Sequence, residues 1–159
     1  MTSNDSASMH NASPASLSER QAQALKRLQH ELDHPPFHAL FAPQVVSVDP
    51  DAGVVVLRLP FQPSFRRSAD SDFIHGGVIA AVIDMAAHAA VAVQIGHMAP
   101  TIDLRIDYLR PAPGKDLIIT AKTLRVGRSV GRADVEINTG PNTPLLAVGR
   151  GSFSTLSNQ

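Results

Sequence analysis

Residues 75–90, HGGVIAAVIDMAAHAA, set a few polar groups into a run that is otherwise aliphatic. His75 opens it beside Gly76 and Gly77, and Asp84 and His88 follow inside what reads as a core helix. The start of a helix leaves several N–H donors unpaired and carries a partial positive charge. Two glycines there put no side chain between those amides and an approaching carbonyl. A carbonyl held at such an amide gains negative charge when it is attacked, and a fixed donor stabilises that charge by roughly 3 kcal/mol. Gly76 and Gly77 are therefore candidate donors, although two glycines also suit a tight turn or close helix packing. A carboxylate about two turns into the helix is costly to bury without a partner. Asp84 is therefore a candidate functional residue, with an aspartate that caps or bridges at a subunit interface as the alternative. His88 lies one turn further on the same face, where it orients the carboxylate, contacts a substrate or is satisfied within the packing. The pair makes a poor metal site, because no third ligand accompanies two residues at helical spacing. His75 is expected to fix the start of the helix through hydrogen bonds.

Such groups need an element to space them and another to cover it. The apolar spacing predicts a long helix over residues 77–95, closed by Gly96 and Pro100. Before it, Val45–Val48 and Val54–Leu59 are β-branched runs joined by DPDAG, a hairpin pattern. After it, TIDLRIDYL alternates with period two, placing Ile102, Leu104, Ile106 and Tyr108 on one face. PAPG then turns into KDLIITAKTLRV, a further strand follows over residues 129–137, and TGPNT leads into a last one over 145–155. An antiparallel sheet with one apolar face must be covered, and the large apolar helix is the element available to cover it. The expected fold is thus α+β, a curved antiparallel sheet wrapped around a long central helix. An extra N-terminal helix runs from the S-x-x-E capping box at Ser16–Glu19 to about His34, with Leu17, Leu25, Leu28 and Leu32 on one stripe. No internal repeat is found.

Composition narrows the chemistry. The 159 residues hold 14 acidic and 14 basic side chains, so no long-range field argues for nucleic acid or an anionic membrane surface. There is no cysteine, which excludes disulfides, thiolate nucleophiles and cysteine-based zinc sites. Tryptophan is absent and aromatics are few, which argues against base-stacking platforms. The longest apolar run, residues 78–93, is interrupted by Asp84 and His88 and is shorter than the roughly 20 residues of a membrane span. Residues 1–15 read as a disordered polar tail without the pattern of a secretory signal, and residues 16–159 as a single domain of a cytoplasmic protein.

With that order of elements, the chain resembles the hotdog-fold acyl-CoA thioesterases. It is similar to the branch containing the phenylacetate-degradation and 4-hydroxybenzoyl-CoA thioesterases. The resemblance is carried by HGGVIAAVID (75–84), DLRIDYLRPA (103–112) and AVGRGSF (147–153), and covers roughly residues 37–156. It implies hydrolysis of an acyl-CoA or aroyl-CoA to a free acid and coenzyme A, with no metal or redox cofactor. It implies that the Gly76 amide binds the thioester carbonyl and that Asp84 is nucleophile or general base. His75 takes a secondary role near the thioester, and Thr101 matches a hydroxyl position close to the reacting groups. It further implies a homo-oligomer, at least a dimer, whose shared sites draw Gly76 and Asp84 from different subunits. Two positions depart from the family pattern. His88 replaces a small hydroxyl residue, and Ala69 replaces the Asn or Gln usual six residues before the histidine, leaving Ser68, Asp70, Ser71 or Asp72 as possible substitutes.

Coenzyme A also needs cations for its phosphates. Between residues 103 and 132, Arg105, Arg110, Lys115, Lys122, Arg125, Arg128 and Arg132 face Asp103, Asp107 and Asp116. RVGRSVGR has the Gly and Arg content of an exposed phosphate-binding turn, which singles out Arg125 and Arg128. Two alternatives accompany hydrolysis. One is a non-catalytic acyl-CoA binding module, suggested by Ala69. The other is a hotdog enoyl-CoA hydratase, suggested by the Asp-to-His spacing of DSDFIH (70–75), where Asp72 and Phe73 replace its usual Asn-Pro.

Overall fold

The computed structural model describes residues 14–156. Helix α1 spans Pro14–Asp33 and α2 is one turn, Pro36–Ala39. Strands β1 (Gln44–Asp49) and β2 (Val54–Leu59) precede the long helix α3 (Gly76–Ile95). Strands β3 (Thr101–Tyr108), β4 (Leu117–Val126), β5 (Val130–Asn138) and β6 (Ala147–Ser154) follow it. All five strand pairings are antiparallel, in the order β1-β2-β4-β5-β6-β3. This is the expected hotdog arrangement, a long helix held in a curled sheet.

Period-two alternation directs Val55, Leu57 and Leu59 of β2, Leu117 and Ile119 of β4, and Val135 and Ile137 of β5 onto one face, all buried. They meet Ile79, Val82, Ile83 and Val91 of α3. The alanines of α3 let the helix approach closely, and so does the sheet. A Cβ on Gly149 would lie 2.4 Å from Ile83 Cγ2, and one on Gly131 2.7 Å from Val91 Cγ1. By length and composition α3 could also cross a bilayer, which the run of 78–93 did not suggest. Here its apolar side chains pack against the sheet.

The sheet covers one side of that helix rather than nearly every side. Gly77 is exposed, and Ala80, Ala81, Asp84 and His88 are half-buried. At spacings of three and four residues they form one open stripe. Beside it runs β3, the outermost strand next to β6, whose other edge pairs with no strand among the described residues. Strict alternation in β3 also fails. The register shifts between Thr101 and Asp103, so Ile102 is the extra residue of a bulge and is 59% exposed. The slip pairs Thr101 with the buried Phe153 and turns it toward α3.

Helix α1 begins two residues before the expected Ser16, whose side chain is not among those described, and the expected tail lies almost wholly outside the described residues. Leu28 and Leu32 bury its inner face, and α1 packs on β1. At the far end of α3, Gly96 takes the left-handed conformation (φ 78°) and its carbonyl accepts Arg27 Nη2 at 2.6 Å.

Candidate active site

The start of α3 is fixed from both sides. The His75 amide donates to the Phe65 carbonyl at 2.7 Å, and the Ile74 amide to the Ala112 carbonyl at 2.8 Å. His75 is the N-cap, and its Nδ1 accepts the Gly77 amide at 2.9 Å. Because an amide donates to it, Nδ1 carries no proton. The Val78 amide donates to the His75 carbonyl at 3.0 Å. Of the first three amides of α3, only that of Gly76 donates to no described residue. Gly76 and Gly77 therefore do different things. Gly77, expected to contact substrate, spends its donor on His75, while Gly76 keeps a free one.

Gly76 lines a cleft of about 330 Å³ walled by Phe73, Ile79, Tyr108, Leu109 and Leu146. Tyr108, read from sequence as a strand residue on the face of Ile102, Leu104 and Ile106 and as part of a motif, donates its hydroxyl to the Gly76 carbonyl at 3.0 Å. Ser68, Asp70, Ser71 and Asp72 do not line this cleft. Ser71 is buried and holds the loop itself, accepting Arg67 Nε at 2.9 Å and the Phe73 amide at 3.1 Å. Asp72 is 95% exposed and faces Arg66 at 3.7 Å. None of these four thus replaces the missing amide side chain at the cleft, where the loop before His75 contributes Arg67 and Phe73.

Asp84 lies on the open stripe, not in the core. Its Oδ1 accepts the Thr101 hydroxyl at 2.8 Å, so the sequence-picked carboxylate and hydroxyl do meet. No hydrogen bond joins Asp84 to His88. Instead His88 Nε2 accepts the Ala99 amide at 3.2 Å and the ring meets Phe153 edge-on at 6.2 Å. Burial pushes the His88 imidazole below its ordinary value, against the upward pull of the Asp84 carboxylate. Of the three roles open to His88, this is a ring satisfied within the packing, where it anchors the strand-entry loop and does not hold Asp84.

Arg125 and Arg128 come together with Arg132 around a shallow hollow of about 310 Å³ at the β4–β5 turn. None of the three forms an ion pair among the described residues. The rank Gly131–Phe153–Thr101 places this turn two strand spacings, about 10 Å, from Thr101. Among the described residues no group of three or more His, Asp or Glu side chains stands ready to hold a metal ion.

The family profile of the thioesterase superfamily matches residues 72–145, from the loop before His75 to the start of the last strand region. A Halobacterium salinarum protein bearing an esterase name is 37% identical over 127 residues, covering 73% of this chain and 83% of that protein. The chain belongs to the thioesterase superfamily. This thioesterase is also 34% identical over 93 residues to the medium/long-chain acyl-CoA thioesterase YigI of Escherichia coli K12, covering 48% of this chain and 59% of YigI. Its fold matches that of the E. coli PaaI protein from the phenylacetic acid degradation operon, with a TM-score of 0.75 over 90% of this chain and 98% of that one at 23% identity. The thioesterase is thereby a thioester hydrolase, and hydrolysis takes precedence over the binding-module and hydratase alternatives.

Proposed function

We propose that the thioesterase hydrolyses an acyl-CoA or aroyl-CoA at a site built by two copies of the chain, with Gly76 from one and the partner subunit's Asp84 completing it. One observation carries this reading. The unpartnered amide and the carboxylate are eight residues apart on one helix, about 12 Å along its axis. No single carbonyl reaches both. Yet the stripe beside them, including Asp84, is left open by the chain's own sheet. A second copy whose α3 runs antiparallel across a twofold axis near Ala80 sets each Gly76 against the other Asp84. The small residues Gly77, Ala80 and Ala81 suit such an approach, and the free edge of β3 continues the same face.

In that site the Gly76 N–H holds the thioester carbonyl oxygen. Asp84 attacks the carbonyl carbon itself or takes a proton from the water that does. The C–S bond then breaks and coenzyme A leaves, taking its proton from the water consumed; where Asp84 has attacked, that water hydrolyses the resulting mixed anhydride, which releases the acid and restores the carboxylate. Thr101 holds Asp84 Oδ1 and leaves Oδ2 for the chemistry. Arg125, Arg128 and Arg132 supply cations for the nucleotide phosphates. The route uses no metal or redox cofactor.

The test is thiol release over short, long and aromatic CoA esters, for wild type and Asp84→Asn. Asparagine keeps an oxygen for Thr101 but neither attacks nor takes a proton, so a fall of about 10²–10⁴-fold is expected. Turnover by Asp84→Asn within threefold of wild type overturns the assignment. Single turnover in ¹⁸O-water then tests for attack by Asp84 itself: label in the protein marks an anhydride opened by water at the aspartyl carbonyl, since the base route sends all the label into the acid.

A further inference from the structure

Both polar atoms of the Gly76–Gly77 peptide are held by side chains. The Tyr108 hydroxyl donates to the Gly76 carbonyl at 3.0 Å, and His75 Nδ1 accepts the Gly77 amide at 2.9 Å. The peptide just before it carries the unpartnered Gly76 amide. Two glycines in succession at a helix start have little steric bias in their torsions, and the first amides there have no intrahelical acceptor. Within the backbone, the peptide that carries the Gly76 N–H is held by a single bond, the Val78 amide to the His75 carbonyl at 3.0 Å, which leaves its tilt to depend on the peptide that follows. A hydrogen bond weakens steeply once its angle is poor, so a loosely aimed donor is a poor one.

Tyr108 is not called for by packing. It is the chain's single tyrosine and is 56% exposed, so water could satisfy its hydroxyl. The Gly76 carbonyl, being inside the helix, has an intrahelical donor available. Even so, the end of β3 brings Tyr108 to Gly76 across 32 residues of sequence, with its ring 3.4 Å from where a Gly76 Cβ would sit. We propose that Tyr108 is a positioning residue: with His75 it clamps the Gly76–Gly77 peptide and thereby aims the Gly76 N–H at the thioester carbonyl. This rests on the donor role proposed above for Gly76.

The experiment uses full-length protein with decanoyl-CoA as substrate. Its inert analogue, in which CH2 replaces the thioester sulfur and the carbonyl is ¹³C-labelled, serves as the probe. Tyr108→Phe keeps the ring and deletes the bond, so kcat should fall roughly three- to tenfold, the size of one neutral hydrogen bond, with KM within about twofold. The bound ¹³C carbonyl should move upfield, toward a less polarised carbonyl. His75→Ala should do the same, and His75→Asn should recover most of the loss, since an asparagine N-cap can accept the Gly77 amide. A purely structural role would lower Tm without moving the carbonyl signal. Wild-type kcat and an unmoved signal in Tyr108→Phe overturn the clamp. If that variant does not fold, equal behaviour of His75→Ala and wild type overturns it instead. Failure of the underlying reading looks different: Gly76→Pro, which deletes the amide proton, would then retain activity.

Discussion

If two chains share each site, lesions in the two halves should complement one another. Gly76→Pro removes the donor where proline is well tolerated, at the first position of a helix. His75 already has the extended backbone that a residue before proline requires, φ −65° and ψ 137°. A Cβ at position 76 meets the Tyr108 ring at 3.4 Å, an ordinary contact, and Gly76→Ala serves as the control that adds the Cβ and keeps the N–H. Loss of one such donor costs about 10²–10³ in kcat. Asp84→Asn disables the other half. Each homodimer is then inactive at both sites, whereas a mixed dimer collects both lesions in one site and leaves the other intact. Random assortment makes half the dimers mixed, each with one working site of two, so an equimolar co-refolded mixture should regain about a quarter of wild-type activity. Pairing the double variant with wild type inverts the result, because only wild-type homodimers keep working sites. Activity should then fall to about a quarter of the wild-type value instead of the half expected for independent chains. Thiol release measures both. No gain in the first mixture, with a half in the second, refutes the shared site and places the whole reaction in one chain.

Three other outcomes test separate parts of the structure. Since the chain contains no cysteine, Ala80→Cys places one thiol per copy beside the proposed axis and should give a covalent dimer on mild oxidation, whereas Gln94→Cys, far along α3, should not. Burial lowers the His88 pKa from its ordinary 6.5, with Asp84 pulling it up, His38 pushing it down and Glu31 pulling it up. Below about pH 6.5 the unfolded chain therefore binds the proton more readily, so stability present at neutral pH is lost as pH falls, by at most about 1.4 kcal/mol per unit. The Tm of wild type should drop more steeply between about pH 7.5 and 5 than that of His88→Gln, and equal slopes would contradict the buried neutral ring. Arg128→Ala should raise KM for a CoA ester roughly three- to tenfold at unchanged kcat while leaving the matching N-acetylcysteamine thioester unaffected. An equal effect on both substrates would remove the phosphate role.

What could be read from the sequence was whatever depends on spacing along one element. The helical period of residues 77–95 located α3 to within a residue, and β2 matches its β-branched run at both ends. Family resemblance placed Thr101 near the reacting groups, but its bond to Asp84 was not foreseen, since it depends on a bulge at Ile102 that alternation alone does not reveal. Long-range partners were hidden altogether. The acceptor role of His88 is set by the Ala99 amide beyond the end of its own helix, and that of the Gly76 carbonyl by Tyr108 from another strand. The division of labour between Gly76 and Gly77 was equally invisible, because both offer the same amide. Which one stays free is decided by the reach of one imidazole nitrogen. The clue to Tyr108 was present, a lone tyrosine inside YLRPA, but nothing local linked it to the glycines.

The open stripe also resolves the oddity of ionisable groups in an aliphatic helix. A helix apolar on nearly all sides suggests burial on all sides, and that inference made a charged Asp84 look expensive. The sheet covers only one side of α3, so Asp84 sits half-buried with a hydroxyl donor and no desolvation debt comparable to that of a core carboxylate. The uncovered side is nonetheless lined with Gly77, Ala80 and Ala81 in place of the lysines and glutamates that a solvent-facing helix would carry. Small apolar residues around a single carboxylate fit a surface that will be covered by something narrow enough to lie against it and polar enough to meet Asp84. A second α3, presenting its own free Gly76 amide with the cleft beside it, satisfies both conditions. On that reading the hydrophobicity of the helix and the presence of its acid have one cause, the burial of two such stripes against each other around a substrate.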